Sequence, residues 1–149
     1  MAQLTWSISP AYGYHRTSLT RISFTDPELL GHAQNCTLHL HFILPPLVFV
    51  DPYELAHYEE SYTFRHWGTT NLELPVTAVP KENASLLLTA KTTPSDAREV
   101  EVKFPFHVRY GDVTRASSIG YESTEIEYPT GFFACSWSGA LSITGIHSL

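Results

Sequence analysis

The chain has 149 residues, 13% aromatic and only 16% charged, with ten prolines; against the roughly 25% charge of an ordinary globular domain, that balance favours a β-rich body with many turns over a helical bundle. A formal net charge of −6 with no Lys/Arg cluster excludes nucleic acid and an anionic membrane surface as partners, since both need a basic face. No stretch reaches the roughly 18–20 apolar residues needed to cross a bilayer, and the opening MAQLTWSISPAYGYHR lacks a basic region followed by an apolar one, so it does not read as a signal peptide.

In chain order, Leu4, Trp6 and Ile8 alternate as a first strand, stopped by Pro10 and the turn Tyr12-Gly13-Tyr14. His15–Phe24 is a second strand with Ile22 and Phe24 facing inward, and Asp26-Pro27 starts a turn that Gly31 loosely ends. Leu38, Leu40, Phe42 and Leu44 alternate with His39, His41 and Ile43, the period of a half-buried strand. Pro45-Pro46 breaks that ladder, because proline has no N–H to donate. The short apolar run Leu47–Val50 follows and ends at Asp51-Pro52-Tyr53-Glu54-Leu55. Asp51 is placed as an N-cap, Pro52 suits the first helical position, and Glu54 at the third can reach back to the Asp51 N–H. One or two helical turns through about Tyr58 are expected.

Beyond the helix, Tyr62–Trp67 and Leu72–Val76 read as strands divided by Gly68, and Val79–Asn83 as a turn. Ser85–Lys91 is a strand with Leu86, Leu88 and Ala90 in phase, and Thr92–Ala97 a polar turn built on Pro94. Glu99–Tyr110 alternates on both sides of Pro105, which predicts a sheet edge or a bulge there. Glu122–Tyr128, Gly131–Trp137 and Ala140–Ile146 complete a set of short strands. Their spacing predicts an all-β fold, an antiparallel β-sandwich in one domain over residues 1–149, with one or two short helical turns.

Chemistry-bearing motifs are few. His39 and His41 share a strand face in a way zinc sites use, with His57, His107 and Glu54 as further ligand candidates. Histidines on the polar face of a half-exposed strand account for the pair without metal, and neither H-E-x-x-H nor C-x-x-C is present. No metal and no cofactor are expected. No G-x-S-x-G occurs, and Cys135, flanked by Phe133 and Trp137, reads as buried or bridged rather than nucleophilic. Asp51 and Glu54 are accounted for by capping. His107 and Arg109 can grip an acidic partner or a phosphate; a solvated or ion-paired sheet face is the simpler reading.

Two sequons, Asn35-Cys36-Thr37 and Asn83-Ala84-Ser85, point towards a secretory lumen, whereas the missing signal and span taken alone point to a soluble protein. Cys36 and Cys135 are either two small buried residues or, in a lumen, one long-range disulfide.

Several of these motifs together resemble the PIG-X/Pbn1 family. They are Tyr14-His15-Arg16, Cys36, Pro45 through Val50, Asp51-Pro52-Tyr53-Glu54-Leu55, Phe104-Pro105-Phe106-His107-Val108-Arg109-Tyr110 and Cys135-Ser136-Trp137, in the family's order over about residues 14–137. The resemblance implies a lumenal domain of a non-catalytic subunit of glycosylphosphatidylinositol (GPI) mannosyltransferase I, which adds the first mannose in GPI-anchor biosynthesis. It implies no enzymatic activity of its own, location at the endoplasmic reticulum membrane, and a multi-spanning catalytic partner, PIG-M (Gpi14 in fungi). It makes Cys36–Cys135 a disulfide and Asn35 and Asn83 glycosylation sites, with glycosylation at Asn35 competing with the bridge beside it. Asp51, Pro52, Tyr53, Glu54, Leu55, His107, Arg109 and Tyr110 would form or brace the docking surface. Family members carry a targeting signal and a membrane span near the C-terminus, and neither is found between Met1 and Leu149. Two other readings are a carbohydrate-binding sandwich, with Tyr53, Trp67 or Trp137 stacking on sugar rings, and a hydrolase with a cryptic histidine site.

Overall fold

A computed structural model describes residues 2–25, 35–69, 71–92, 98–111 and 122–148. Nine strands occur among them: β1 (Ala2–Ser9), β2 (His15–Phe24), β3 (Cys36–Leu44), β4 (Val48–Phe49), β5 (Tyr62–Trp67), β6 (Ala84–Ala90), β7 (Glu99–Val108), β8 (Thr130–Trp137) and β9 (Ala140–Ser148). One short helix, α1 (Pro52–Ala56), and one 3-10 turn, Val76–Ala78, interrupt them. The strands form two antiparallel sheets, β4-β7-β2-β1 and β9-β8-β3-β6-β5. A short parallel pairing of β9 with β1, Gln3 opposite His147 and Leu4 opposite Ser148, joins them at one edge. This is the antiparallel sandwich that the spacing of the motifs predicts.

The core forms because alternate residues of each strand face one interior. Leu38, Leu40, Phe42 and Leu44 of β3 and Val100, Val102, Phe104 and Phe106 of β7 are all buried. Phe42 meets Phe104 edge-on across the sandwich, with ring centroids 4.8 Å apart, and Phe24 meets Phe133 at 5.8 Å. Gly131 on β8 is dictated by this packing, since a Cβ there would lie 2.7 Å from the Leu4 side chain. Pro105 is accommodated as expected at an edge: β4 covers only His107 and Val108 on that side. The β2–β7 register runs through Thr17–Pro105 without a bulge.

Two expected strands are absent. Leu72–Val76 alternates as a strand would, yet local side chains take its amides: Thr69 accepts from the Asn71 N–H, and Asn71 from the Glu73 N–H. Pro75 then leads into the 3-10 turn, whose Val76 N–H donates to the Tyr110 carbonyl, so residues 71–78 form a strap over the end of β7. Glu122–Tyr128 pairs with no described strand; it is held through Tyr128, whose hydroxyl donates to the Leu4 carbonyl and whose ring meets Trp6 at 5.6 Å. The expected turn at Asp26-Pro27, and residues 93–97 of the turn on Pro94, lie outside the described residues.

Cys36 and Cys135 face each other in the β3–β8 register and are joined by a disulfide that closes 99 residues of sequence separation. Asn35 beside the bridge and Asn83 before β6 are both exposed.

Candidate functional site

The motif residues converge on one corner, where the start of β2, the end of β7, β4, α1 and the strap meet. The helix begins as its sequence dictates: the Asp51 carboxylate accepts from the Tyr53 N–H at 2.8 Å, and Pro52 stands in the first turn. Five residues cannot hold a helix by propensity. Leu55, fully buried, pins it to the core.

Pinning Leu55 also settles where its neighbour Glu54 faces. The expected capping box is only half realised, because the Glu54 carboxylate turns away from the Asp51 amide to the sheet. Its Oε2 lies 2.7 Å from His107 Nε2 and its Oε1 3.4 Å from His15 Nε2. Charge decides the outcome: two imidazoles can each pair with a carboxylate, whereas a capping amide offers one neutral donor. Burial alone would push the Glu54 carboxyl up, but the hydrogen bond and charge of His107, then of His15, outweigh it and hold it below the ordinary carboxylate range.

His15 and His107 are directly opposed in the β2–β7 register, with rings edge-to-face at 4.6 Å. His107 also stacks on Phe49 of β4 at 5.1 Å. The Arg109 guanidinium lies 4.4 Å from the centre of that same Phe49 ring, so Phe49 serves both.

Arg109 corrects the expected solvated face, being only 3% exposed. Its Nη1 donates to the Leu74 carbonyl at 2.9 Å, while Nε and Nη2 are buried without a partner among the described residues. Burial lowers its pKa from the ordinary guanidinium value. Its backbone N–H donates to the Leu47 carbonyl at 2.7 Å, tying the end of β7 to the Pro45-Pro46 break. The side chain is thus a post under the strap, placed where it cannot grip a partner directly.

Around this base the tyrosines stand outward. Tyr53 is 81% exposed, Tyr110 68% and Tyr14 59%, and the rings of Tyr14 and Tyr110 lie 5.1 Å apart. The sequence singles out Asp51–Leu55, His107, Arg109 and Tyr110 for this surface; tertiary packing adds Leu74, and also Phe49 and His15, which the sequence shows only as members of the runs Pro45–Val50 and Tyr14-His15-Arg16.

His39 and His41 share one face of β3, and His39 is engaged there by other side chains. His39 ring nitrogens sit 2.8 Å from the Thr37 hydroxyl and 2.9 Å from that of Thr89, and its ring stacks on Phe132. Among the described residues, the group of histidines and acids able to converge on a metal is His15, Glu54 and His107. No helix among them is long and apolar enough to cross a membrane.

The family described as PIG-X / PBN1 matches residues 11–142. Protein pbn1 of Aspergillus oryzae is 32% identical over 148 residues, covering 88% of this chain and 26% of the relative. Protein pbn1 of Emericella nidulans is 28% identical, covering 89% and 27%, and that of Aspergillus fumigatus 30% identical, covering 90% and 30%. The chain therefore spans between a quarter and a third of the length of these curated relatives. The match takes in every element that builds the corner, from Tyr14 and His15 through α1 to Tyr110, and the disulfide besides: the chain belongs to the PIG-X/PBN1 family.

Proposed function

We propose that this chain serves as the lumenal part of a non-catalytic subunit of GPI mannosyltransferase I at the endoplasmic reticulum membrane, where it binds and stabilises the multi-spanning catalytic subunit. The observation that carries this reading is the corner itself. Three exposed tyrosines stand on a base fixed by the Asp51 cap, the Glu54–His107 pair and the Arg109 post. Tyrosine presents a large amphipathic surface with few rotamers to freeze, which suits it to anchor an interface. A disulfide accords with an oxidising lumen, and exposed Asn35 and Asn83 are accessible to glycosylation there. In this reading Asp51 and Arg109 brace the surface, and Tyr14, Tyr53 and Tyr110 touch the partner.

The test is affinity capture of the tagged protein from microsomes, followed by identification and quantitation of the bound membrane protein. Tyr53→Ala with Tyr110→Ala should lower recovery of the mannosyltransferase catalytic subunit without altering the fold, and Asp51→Ala or Arg109→Ala should lower it by loosening the corner. Recovery unchanged in all of them sinks the assignment of this surface.

Carbohydrate binding is the second reading, favoured by the exposure of Tyr53, Trp67 and Trp137. These rings stand on three separate elements, α1, β5 and β8. Titration with mannosides separates the readings, because the subunit reading expects no sugar affinity.

A further inference from the structure

The His15–Glu54–His107 cluster has one more group than an ion pair requires. Glu54 and His107 alone, at 2.7 Å, would satisfy each other. Yet the β2–β7 register sets a second imidazole directly opposite the first, and both Nε2 atoms converge on the two oxygens of one carboxylate. The two rings lie edge to face with centroids 4.6 Å apart, so two imidazoles and a carboxylate crowd one small volume.

We propose that His15, Glu54 and His107 form a site for a divalent transition-metal ion of the zinc class, which clamps α1 onto the paired ends of β2 and β7. The three ligand atoms lie within 4.8 Å of one another. In a tetrahedral site with bonds of about 2.0–2.2 Å, neighbouring ligand atoms stand about 3.3 Å apart. His15 Nε2 and Glu54 Oε1, at 3.4 Å, already have that spacing; His107 Nε2 meets the other oxygen, Oε2, at 2.7 Å, so taking up an ion turns the carboxylate to present one oxygen between the two rings. Two imidazoles and one carboxylate suit zinc and its late first-row neighbours, and not calcium or magnesium, which take oxygen ligands. The ligands come from three elements that are already fixed: Phe49 stacks on His107, the ladder sets His15, and buried Leu55 orients Glu54. The His15 side chain is 57% exposed, so the site opens outward and leaves the fourth position to water or a donor from another molecule. The site belongs to this chain alone and stands whether or not the tyrosine surface docks a membrane protein.

The experiment uses the tag-free chain, stripped with chelator and dialysed, then titrated with zinc chloride in a calorimeter. Bound zinc is counted after gel filtration. One zinc per chain is expected, with affinity falling by about tenfold or more in His15→Ala and in His107→Ala, since even residues that only support a metal ligand act on that scale. At one zinc concentration the unfolding temperature of the native chain should rise, and that of His15→Ala should rise by clearly less; circular dichroism establishes that this exposed-site variant is folded. The double variant His39→Ala/His41→Ala, altered in the other sheet, should bind as the native chain does. Uptake that is absent at micromolar zinc, that survives His15→Ala unchanged, or that magnesium reproduces would each overturn the site.

Discussion

Glu54 in helix α1 reaches across 53 residues of sequence to His107 at the end of β7, carboxylate oxygen to imidazole nitrogen at 2.7 Å. This contact turns a five-residue helix, which has little stability of its own, into a fixed wall of the corner. Glu54→Gln keeps the shape and removes the charge. Because both partners are partly exposed, solvent screening trims the loss, and about 1 kcal/mol is expected. Urea unfolding at neutral pH with chelator present checks it.

Arg109 separates packing from charge. Arg109→Ala empties the space beside Phe49 and frees the Leu74 carbonyl, and should destabilise by about 2–3 kcal/mol. Arg109→Met fills most of that volume without a buried, incompletely paired charge, so global stability should stay within about 1 kcal/mol. Both variants lose the bond to the strap, so amides around Val76 should exchange faster in each. Hydrogen exchange that is unchanged in Arg109→Met would show that the strap does not depend on this post.

Tyr62 is buried, stacked on Tyr58 at 5.9 Å, and its hydroxyl has no hydrogen-bond partner among the described residues. Tyr62→Phe should therefore leave stability unchanged or raise it by about 1 kcal/mol. Burial, and then the neighbouring Tyr58, push the Tyr62 phenol up from its ordinary value. A pKa raised on folding adds stability that is complete below the unfolded value, near 10, and is lost as pH rises above it. Alkaline unfolding should thus be shallower in Tyr62→Phe, which a stability series from pH 8 to pH 11 would reveal.

Reduction of Cys36–Cys135 releases a loop of 99 residues. By the chain-entropy estimate the cost is about 4–5 kcal/mol, a large share of the 5–15 kcal/mol that holds an ordinary domain together. Unfolding with and without reductant, compared with Cys36→Ala/Cys135→Ala, measures it. The variant should match the reduced protein.

How much of this was legible beforehand can be judged element by element. His15–Phe24 and Tyr62–Trp67 are strands with the expected bounds, and the alternation of β3 and β7 named their buried faces. The helix start at Asp51-Pro52 was equally plain. These features follow from rules that act within a few residues: a period of two, a side chain capping the amide two positions on, a proline without an N–H. The same local rules misled at Leu72–Val76 and at Glu54. An alternating apolar run lost its ladder to Thr69 and Asn71, and a residue suited to a capping box found a better partner far along the chain.

The sequence by itself, then, determined the class of fold, the inward faces of the main strands and the presence of a rigid helical start at Asp51. Only the tertiary structure decided that β9 joins the two sheets, that Arg109 is a buried post, and that His15 stands opposite His107 with Glu54 between them. The physical reason is register. A strand carries its pattern of inward and outward residues alone, but which residue of another strand lies beside it is set when the sheets form, and the site is made of such pairs.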